Sequence, residues 1–502
     1  MSHTIRYNLP ESWVWANIGI VSDVITKGST PTSYGFRYIK RGINFVKVEN
    51  ILNGRIARNS IIEFITNEAH KFLKRSQLAE NDVLFSIAGT IRRIAIVNQD
   101  DLPANINQAI AVIRCPWDLI CPQYLKTVFE SPITSPSISK KPRGVGMDNI
   151  SLEDIKNIVI PLPPLNEQKR IVARIEELFT KLEAGVEALK KVKAQLKRYR
   201  QAVLKYAFEG KFTGEWRKSN KDKIEPASVL LERIKGERKK KLRKKYKELP
   251  PVDKESLPEL PEGWVWERVA NVGEVITGTT PSKSKSEYYG KNFPFYKPTD
   301  LNDGYYTRKS EDGLSKKGLE KARLLPAKSI LVTCIGATIG KTGFIRVSGA
   351  SNQQINAIVP QRQNLPEYVY FACISPQFQK SIIDNASATT LPILNKSKFE
   401  LLSLPLPPIE EQRKIVEEID RRFSVADEAE KVVEQSLRQA ERLRQSILKK
   451  AFEGKLVPQD PNDEPAEKLL ERIRAEKAAR EGNKKKRAWS LERAKNHYEN
   501  GQ

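Results

Sequence analysis

Apolar side chains fall at Ile171, Ile175, Leu178, Leu182, Leu189, Val192, Leu196, Tyr199 and Val203, in steps of 4, 3, 4, 7, 3, 4, 3 and 4. This spacing keeps one stripe on one face of a helix and predicts a heptad seam. Pro163-Pro164 stand just before it, where proline suits a first helical turn, and no proline follows until Pro226. Adding 244 to each position gives Ile415, Ile419, Arg422, Ala426, Val433, Ser436, Ala440, Leu443 and Ile447, behind Pro407-Pro408. The second seam is thinner, with small or polar residues where the first has large ones. Large side chains against small ones interlock, so the two stripes are expected to pack on each other within one chain.

The rest of the chain is also written twice. LPESWVWANIGIVSDVITKGSTP from Leu9 answers LPEGWVWERVANVGEVITGTTP from Leu260. DVLFSIAGTIRRIAIV from Asp82 resembles SILVTCIGATIGKTGFI from Ser329, and NINQAIAVI corresponds more loosely to SNQQINAIV. LPPLNEQKRIVARIEELF and LPPIEEQRKIVEEIDRRF share nine of eighteen positions, and AFEGKF, AFEGKL and the EPAxxLLERI segments repeat in the same order. Between repeats, stretches rich in Val, Ile, Thr and Tyr with glycine-bearing turns read as short strands with some helix. The expected fold is α+β: two repeated α/β domains separated by two long antiparallel helices forming an intramolecular coiled coil. Its segments are a first head (1–160), a spacer helix (161–210), a basic linker (211–258), a second head (259–404), a second spacer helix (405–454) and a charged C-terminal extension (455–502). About 43 helical residues at 1.5 Å each would span roughly 65 Å, enough to hold two heads apart by one to two turns of duplex at roughly 34–36 Å per turn.

Charge narrows the partners. The 502 residues carry 86 Lys and Arg against 61 Asp and Glu, a formal charge of +25, which favours a polyanion. Fourteen cations and four acids crowd Arg217–Lys247, which suits either a solvated helix or contact with a DNA backbone. Cys115, Cys121, Cys334 and Cys373 form no CxxC pair, which fits a reducing cytoplasm rather than a disulfide framework. No apolar run reaches the ~18 residues of a spanning helix, so no membrane partner is expected.

Enzyme motifs are missing. Gly336-Ala-Thr-Ile-Gly340-Lys341-Thr342 has three residues between its glycines where a phosphate-binding loop needs four, so a tight turn between strands is the better reading. No Asn/Asp-Pro-Pro-Tyr/Phe tetrapeptide marks an amino-methyltransferase, and His3, His70 and His497 are scattered. No catalytic residue and no metal ligand is assigned; the pattern fits a binder. Its candidate DNA contacts lie in the heads. They are Lys27, Ser29 and Thr30; Ser86, Thr90, Arg92 and Arg93; Asn107 and Gln108; and, in the second head, Thr279, Thr280, Lys283 and Lys285; Thr333, Lys341 and Thr342; Gln353 and Gln354. Lysine and arginine neutralise phosphates. Asn and Gln amides can pair with adenine edges.

Two variable heads, each closed by LPPLNEQKRIV or LPPIEEQRKIV, a long helix and an AFEGKF or AFEGKL exit, resemble the specificity subunit of a type I restriction-modification system over nearly the whole chain. The resemblance implies that each head reads one half of a bipartite, asymmetric site in double-stranded DNA. It implies that the helices set the spacing and dock two methyltransferase subunits, with restriction-translocase subunits able to join. Adenine N6 methylation from S-adenosylmethionine, and ATP- and Mg2+-dependent cleavage, would then belong to those partners, with no cofactor in this chain. The alternatives are a fused methyltransferase-specificity enzyme, or a structural coiled-coil protein whose basic charge is incidental.

Overall fold

The computed structural model describes residues 8–134, 149–243, 248–255, 257–387 and 391–480. His3, His497, residues 244–247 of the basic linker and the extension from 481 to 502 lie outside the described residues. The chain divides into two compact units, 1–188 with 436–502, and 189–435.

Each unit holds one head, and the two heads share one topology. In the first, Val24–Lys27, Ile110–Arg114, Val83–Ser86 and Ile94–Ile96 lie side by side, in that order, as an antiparallel sheet. In the second, Gly273–Thr277, Ile355–Pro360, Ile330–Thr333 and Thr342–Phe344 repeat that order. Each of these strands is three to six residues long; the inner ones are largely buried and read as short apolar runs rather than a clean alternation, while Val24–Lys27 lies at the partly exposed edge. A second, three-stranded sheet accompanies each: Ile43–Val46 between Phe64–Ile65 and Ala104–Ile106, and Tyr289–Tyr296 between Asp312–Leu314 and Ala350–Ser351.

A two-stranded stitch closes each head. Val14–Asn17 pairs antiparallel with Val159–Leu162, and Val265–Arg268 with Ser403–Leu406, so the WVW segment lies against the strand that leads into Pro-Pro. The helices Leu165–Phe208 and Ile409–Phe452 start immediately afterwards, 44 residues each. The glutamine of the repeated Glu-Gln pair explains part of the motif. Gln168 accepts from the Cys121 amide at 2.9 Å and donates to Pro163 O at 3.0 Å; Gln412 does the same with Leu365 (3.0 Å) and Pro407 (3.1 Å). Both amides are fully buried, so each satisfies two backbone groups that would otherwise be orphaned. Tyr124 and Tyr368 repeat the device, each donating its hydroxyl at 2.8 Å to the carbonyl of Pro161 or Pro405.

Within each unit the halves of the long helices run antiparallel, as the large-and-small seams predict. In the first unit, Ile171, Val172 and Ile175 share a core with Ile447, Leu448, Ala451 and Phe452. In the second, Val203, Leu204, Ala207 and Phe208 share one with Ile415, Val416 and Ile419. Ala426 and Val433 are also buried, while Leu178, Leu182, Leu189 and Leu196 are half-buried. Between the apolar ends the contact is ionic: Arg200 reaches Asp427 at 2.6 Å and Glu430 at 2.7 Å, and Lys193 reaches Glu434 at 2.7 Å. Three seam positions are corrected. Leu443 is 49% exposed, because the stripe shifts by one residue to Arg444, whose guanidinium lies 4.1 Å from the Phe179 ring centroid and 3.4 Å from Glu183. Val192 and Tyr199 also face solvent.

The linker and the C-terminal extension contain the same packed helix. Ala227–Leu242 buries Ala227, Leu230, Leu231 and Ile234 in the second unit, and residues 466–480 bury Ala466, Leu469, Leu470 and Ile473 in the first. The amides of Ala227 and Ala466 donate to Gly263 O (3.0 Å) and Ser12 O (2.9 Å), so each helix starts on the turn before a WVW strand. Both described ends of the chain therefore meet in the first unit, where Lys477 donates to Gly19 O (2.8 Å) and Ser22 O (2.9 Å).

Candidate nucleic-acid interface

The most regular constellation in each head forms where the glycine-hydroxyl loop meets the polar turn before the central strand. The Gly28 amide donates to Ile110 O, and the Gly278 amide to Ile355 O. A Cβ on Gly28 would stand 2.1 Å from the carbonyls of Ile106 and Asn107; one on Gly278 would stand 2.0 Å from Asn352 O. Only glycine permits that approach. It brings the next hydroxyls onto the turn: Thr30 donates to the Gln108 side chain, and Thr280 to the Gln353 side chain. The fold thereby sets the correspondence that the sequences left loose. Asn107 answers Asn352, each accepting at 3.2 Å from the amide two residues on, Gln108 answers Gln353, and Ala109 answers Gln354.

Around this pair the first head gathers several of the expected residues. Lys27 is exposed at the end of its strand, and Ser29 accepts from Arg75 at 3.4 Å. A cleft of about 290 Å³ is lined by Val48, Glu49, Thr90, Arg93 and Asn107, so Thr90 and Asn107 open onto one hollow. In the second head Thr279 is half-buried, Lys283 and Lys285 are exposed, and Lys285 lies 5.6 Å from the Tyr288 ring centroid. Gln354 accepts from Asn352 at 2.8 Å, and Lys341 is half-buried.

The hairpin turns hold a different set. Ser86, Thr333 and Thr342 are buried, so the expectation that they present hydroxyls to a ligand is corrected. Ser86 accepts from the Arg93 amide and donates to Thr90 O, both at 2.7 Å, and Thr342 donates to Gly340 O at 2.9 Å. The turn ranks above the surface here because two strands must reverse within a few residues. Arg92 occupies the left-handed region (φ 65°) where the other repeat has Gly340 (φ 85°), a conformation costing a non-glycine residue about 1 kcal/mol. Its guanidinium donates to Phe129 O (3.4 Å), Ser131 O (3.3 Å) and Thr134 Oγ1 (3.4 Å), and burial pulls its pKa down. Arg93 donates to Val48 O (3.0 Å) and Ile51 O (3.4 Å). Both arginines are thus tied to the head's own backbone.

Sequence reasoning missed an aromatic surface beside Thr30. Tyr34 and Phe72 are 51% and 59% exposed, and the Phe72 ring centroid lies 5.4 Å from those of both Tyr34 and Phe36. Phe72 lies far from Tyr34 and Phe36 in sequence, and no spacing signal links it to them. Only the packing of Asn67–Phe72 and Lys74–Ser76 against the Gly-Ser-Thr loop joins them.

The described residues contain no cluster of acidic, histidine or cysteine side chains able to hold a metal, and no helix among them is long and apolar enough to cross a membrane. What the heads share is a frame; what distinguishes them is the surface mounted on it. That arrangement defines a class of paired recognition modules, and comparison with known proteins gives the family. Residues 10–194 and 261–438 match the type I restriction modification DNA specificity domain, and the chain belongs to that family. It is 33% identical to the EcoBI specificity subunit of Escherichia coli over 250 residues, 47% of this chain and about half (52%) of that relative. It is 26% identical to the EcoKI specificity subunit of Escherichia coli strain K12 over 95% of this chain and 98% of the relative. A solved chain from a type I restriction-modification assembly superposes with a TM-score of 0.62 at 22% identity, covering 90% of this chain and all of the other, which supports the fold.

Proposed function

We propose that the protein is the non-catalytic specificity subunit of a type I restriction-modification complex, each head reading one half of a split, asymmetric duplex site. The observation carrying this reading is the repeated frame under unlike surfaces. The stitch strands, the Gln168 and Gln412 amides, the Tyr124 and Tyr368 hydroxyls and the Gly28 and Gly278 approaches recur, while the residues around Thr30 and Thr280 differ. Equal scaffolds with different contact residues suit two different half-sites. In this reading Lys27, Lys283 and Lys285 neutralise phosphates. Gln108 and Gln353, oriented by Thr30 and Thr280, offer amides to base edges. The long helices set the spacing between half-sites and dock two methyltransferase subunits. S-adenosylmethionine, ATP and Mg2+ act in those partners and in the restriction subunits, in the cytoplasm.

Methylation mapping of a strain with and without this chain tests the reading. Adenine methylation at one split motif should vanish with the chain. Exchanging residues 259–405 for another head should change one half of the motif only; a change in both halves, or in neither, refutes the division of labour. Methyl transfer by the purified chain alone would support a fused enzyme instead. Failure to bind duplex in any salt, with or without partners, would leave a structural coiled coil.

A further inference from the structure

Tyr34 and Phe72, with the half-buried Phe36 beside them, form an exposed aromatic patch on the first head. Its setting is cationic. Residues 27–41 carry Lys27, Arg37, Lys40 and Arg41 with no acid, and residues 67–75 carry Lys71, Lys74 and Arg75 against Glu68 alone. Arg37, Lys40, Arg41, Lys71 and Lys74 are exposed and form no ion pair among the described residues. Tyr34 ends the turn Pro31–Tyr34 that begins one residue after Thr30, so the patch is continuous with the Thr30–Gln108 pair. The second head lacks it. Thr66 and Ser315 cap matching six-residue helices, and the position of Phe72 on the first is that of Lys321 on the second.

We infer that Tyr34 and Phe72 are specificity-determining residues that read the 5-methyl group of thymine in the half-site of the first head. This rests on the DNA-reading role proposed above. The cations around the patch fit a phosphate backbone and repel a basic protein surface. In the major groove the thymine methyl is the apolar feature of a base-pair edge, and phenylalanine-type contacts suit it. The hydroxyl and amide next to the patch supply polar contacts to the same edge. The second head, with Lys321 in place of Phe72, reads its half-site without this contact.

The test uses the full chain assembled with the methyltransferase subunits of its own system and duplexes carrying the mapped motif. Each thymine of each half-site is replaced in turn by deoxyuridine. With the unaltered chain, at least one replacement in the first head's half-site should weaken binding roughly fourfold, the equivalent of one buried methyl. Tyr34→Ala/Phe72→Ala should abolish that sensitivity while leaving the other half-site's requirements intact, which also shows that the variant is folded. The inference is overturned if the first half-site tolerates uracil throughout, if the double variant keeps the sensitivity, or if the variant loses its methyltransferase subunits while DNA recognition stands, which would make the patch a protein interface. If the unaltered assembly shows no sequence-specific duplex binding, the DNA-reading role itself fails.

Discussion

The two copies of the repeated glutamate make a paired experiment. Glu411 is 1% exposed at its side chain. It accepts from Thr213 (2.6 Å), from Trp264 Nε1 (2.8 Å) and from Arg217 Nη2 and Nε (2.7 and 3.0 Å), and the Arg217 guanidinium lies 5.5 Å from the Trp264 ring centroid. Glu167, equally buried, accepts from Trp13 Nε1 (2.9 Å) and from Gln459 (2.6 Å), while the nearby Arg170 reaches Asp463 at 2.7 Å. One carboxylate is neutralised by a guanidinium; the other is held by neutral donors. Glu411→Gln leaves Arg217 without its anion. Breaking a buried pair costs about 3–5 kcal/mol, and because the Arg217 side chain keeps 20% of its exposure, about 3 kcal/mol is expected. Glu167→Gln keeps an acceptor for Trp13 and leaves no guanidinium without its anion, so about 1 kcal/mol or less is expected. The difference of about 2 kcal/mol corresponds to a melting-temperature gap of roughly 4–8 °C for a unit of this size. Thermal unfolding measures the gap, and hydrogen exchange of peptides from each unit assigns it. A Glu167→Gln cost equal to or larger than that of Glu411→Gln would refute the reasoning.

The same contrast has a pH signature. Burial, opposed by the Trp13 hydrogen bond, raises the pKa of Glu167. The folded state therefore holds its proton more tightly than the unfolded chain, and stability falls as pH rises from the ordinary glutamate range through the raised folded value. Urea titrations across that window should show a shallower fall for Glu167→Gln. Gln412→Leu strands the Leu365 amide and the Pro407 carbonyl, at a cost of about 2–4 kcal/mol read by urea denaturation. Gly28→Ala forces a Cβ into two carbonyls and should cost about 2 kcal/mol or more, with a matching loss for Gly278→Ala. Replacing Lys283 and Lys285 by Gln should lower the slope of log affinity against log salt by about 0.9 for each phosphate no longer neutralised, without changing the preferred motif.

Much of the fold was legible because duplication states each structural requirement twice. The Pro-Pro starts, the 3-4 spacing and the glycine turn between the hairpin strands all follow from local chemistry, and local chemistry is what one sequence carries. The role of Ser86 was not legible, because a serine beside a turn glycine reads the same whether its hydroxyl faces solvent or clamps the turn. Arg92 and Arg93 misled for a related reason: an arginine's partner can be a phosphate or a backbone carbonyl, and only the path of Val48–Ile51 and Phe129–Ser131 decides.

Sequence alone therefore determined the repeated frame, the long helices and the cationic character of the chain, since periodicity, proline placement and charge act at short range. Tertiary structure decided which side chains the frame consumes and which it leaves at the surface. It moved the helix seam from Leu443 to Arg444, matched Asn107 with Asn352, and assembled Tyr34, Phe36 and Phe72 from separate segments. Those outcomes depend on contacts between residues distant in the chain, whose packing no local pattern records.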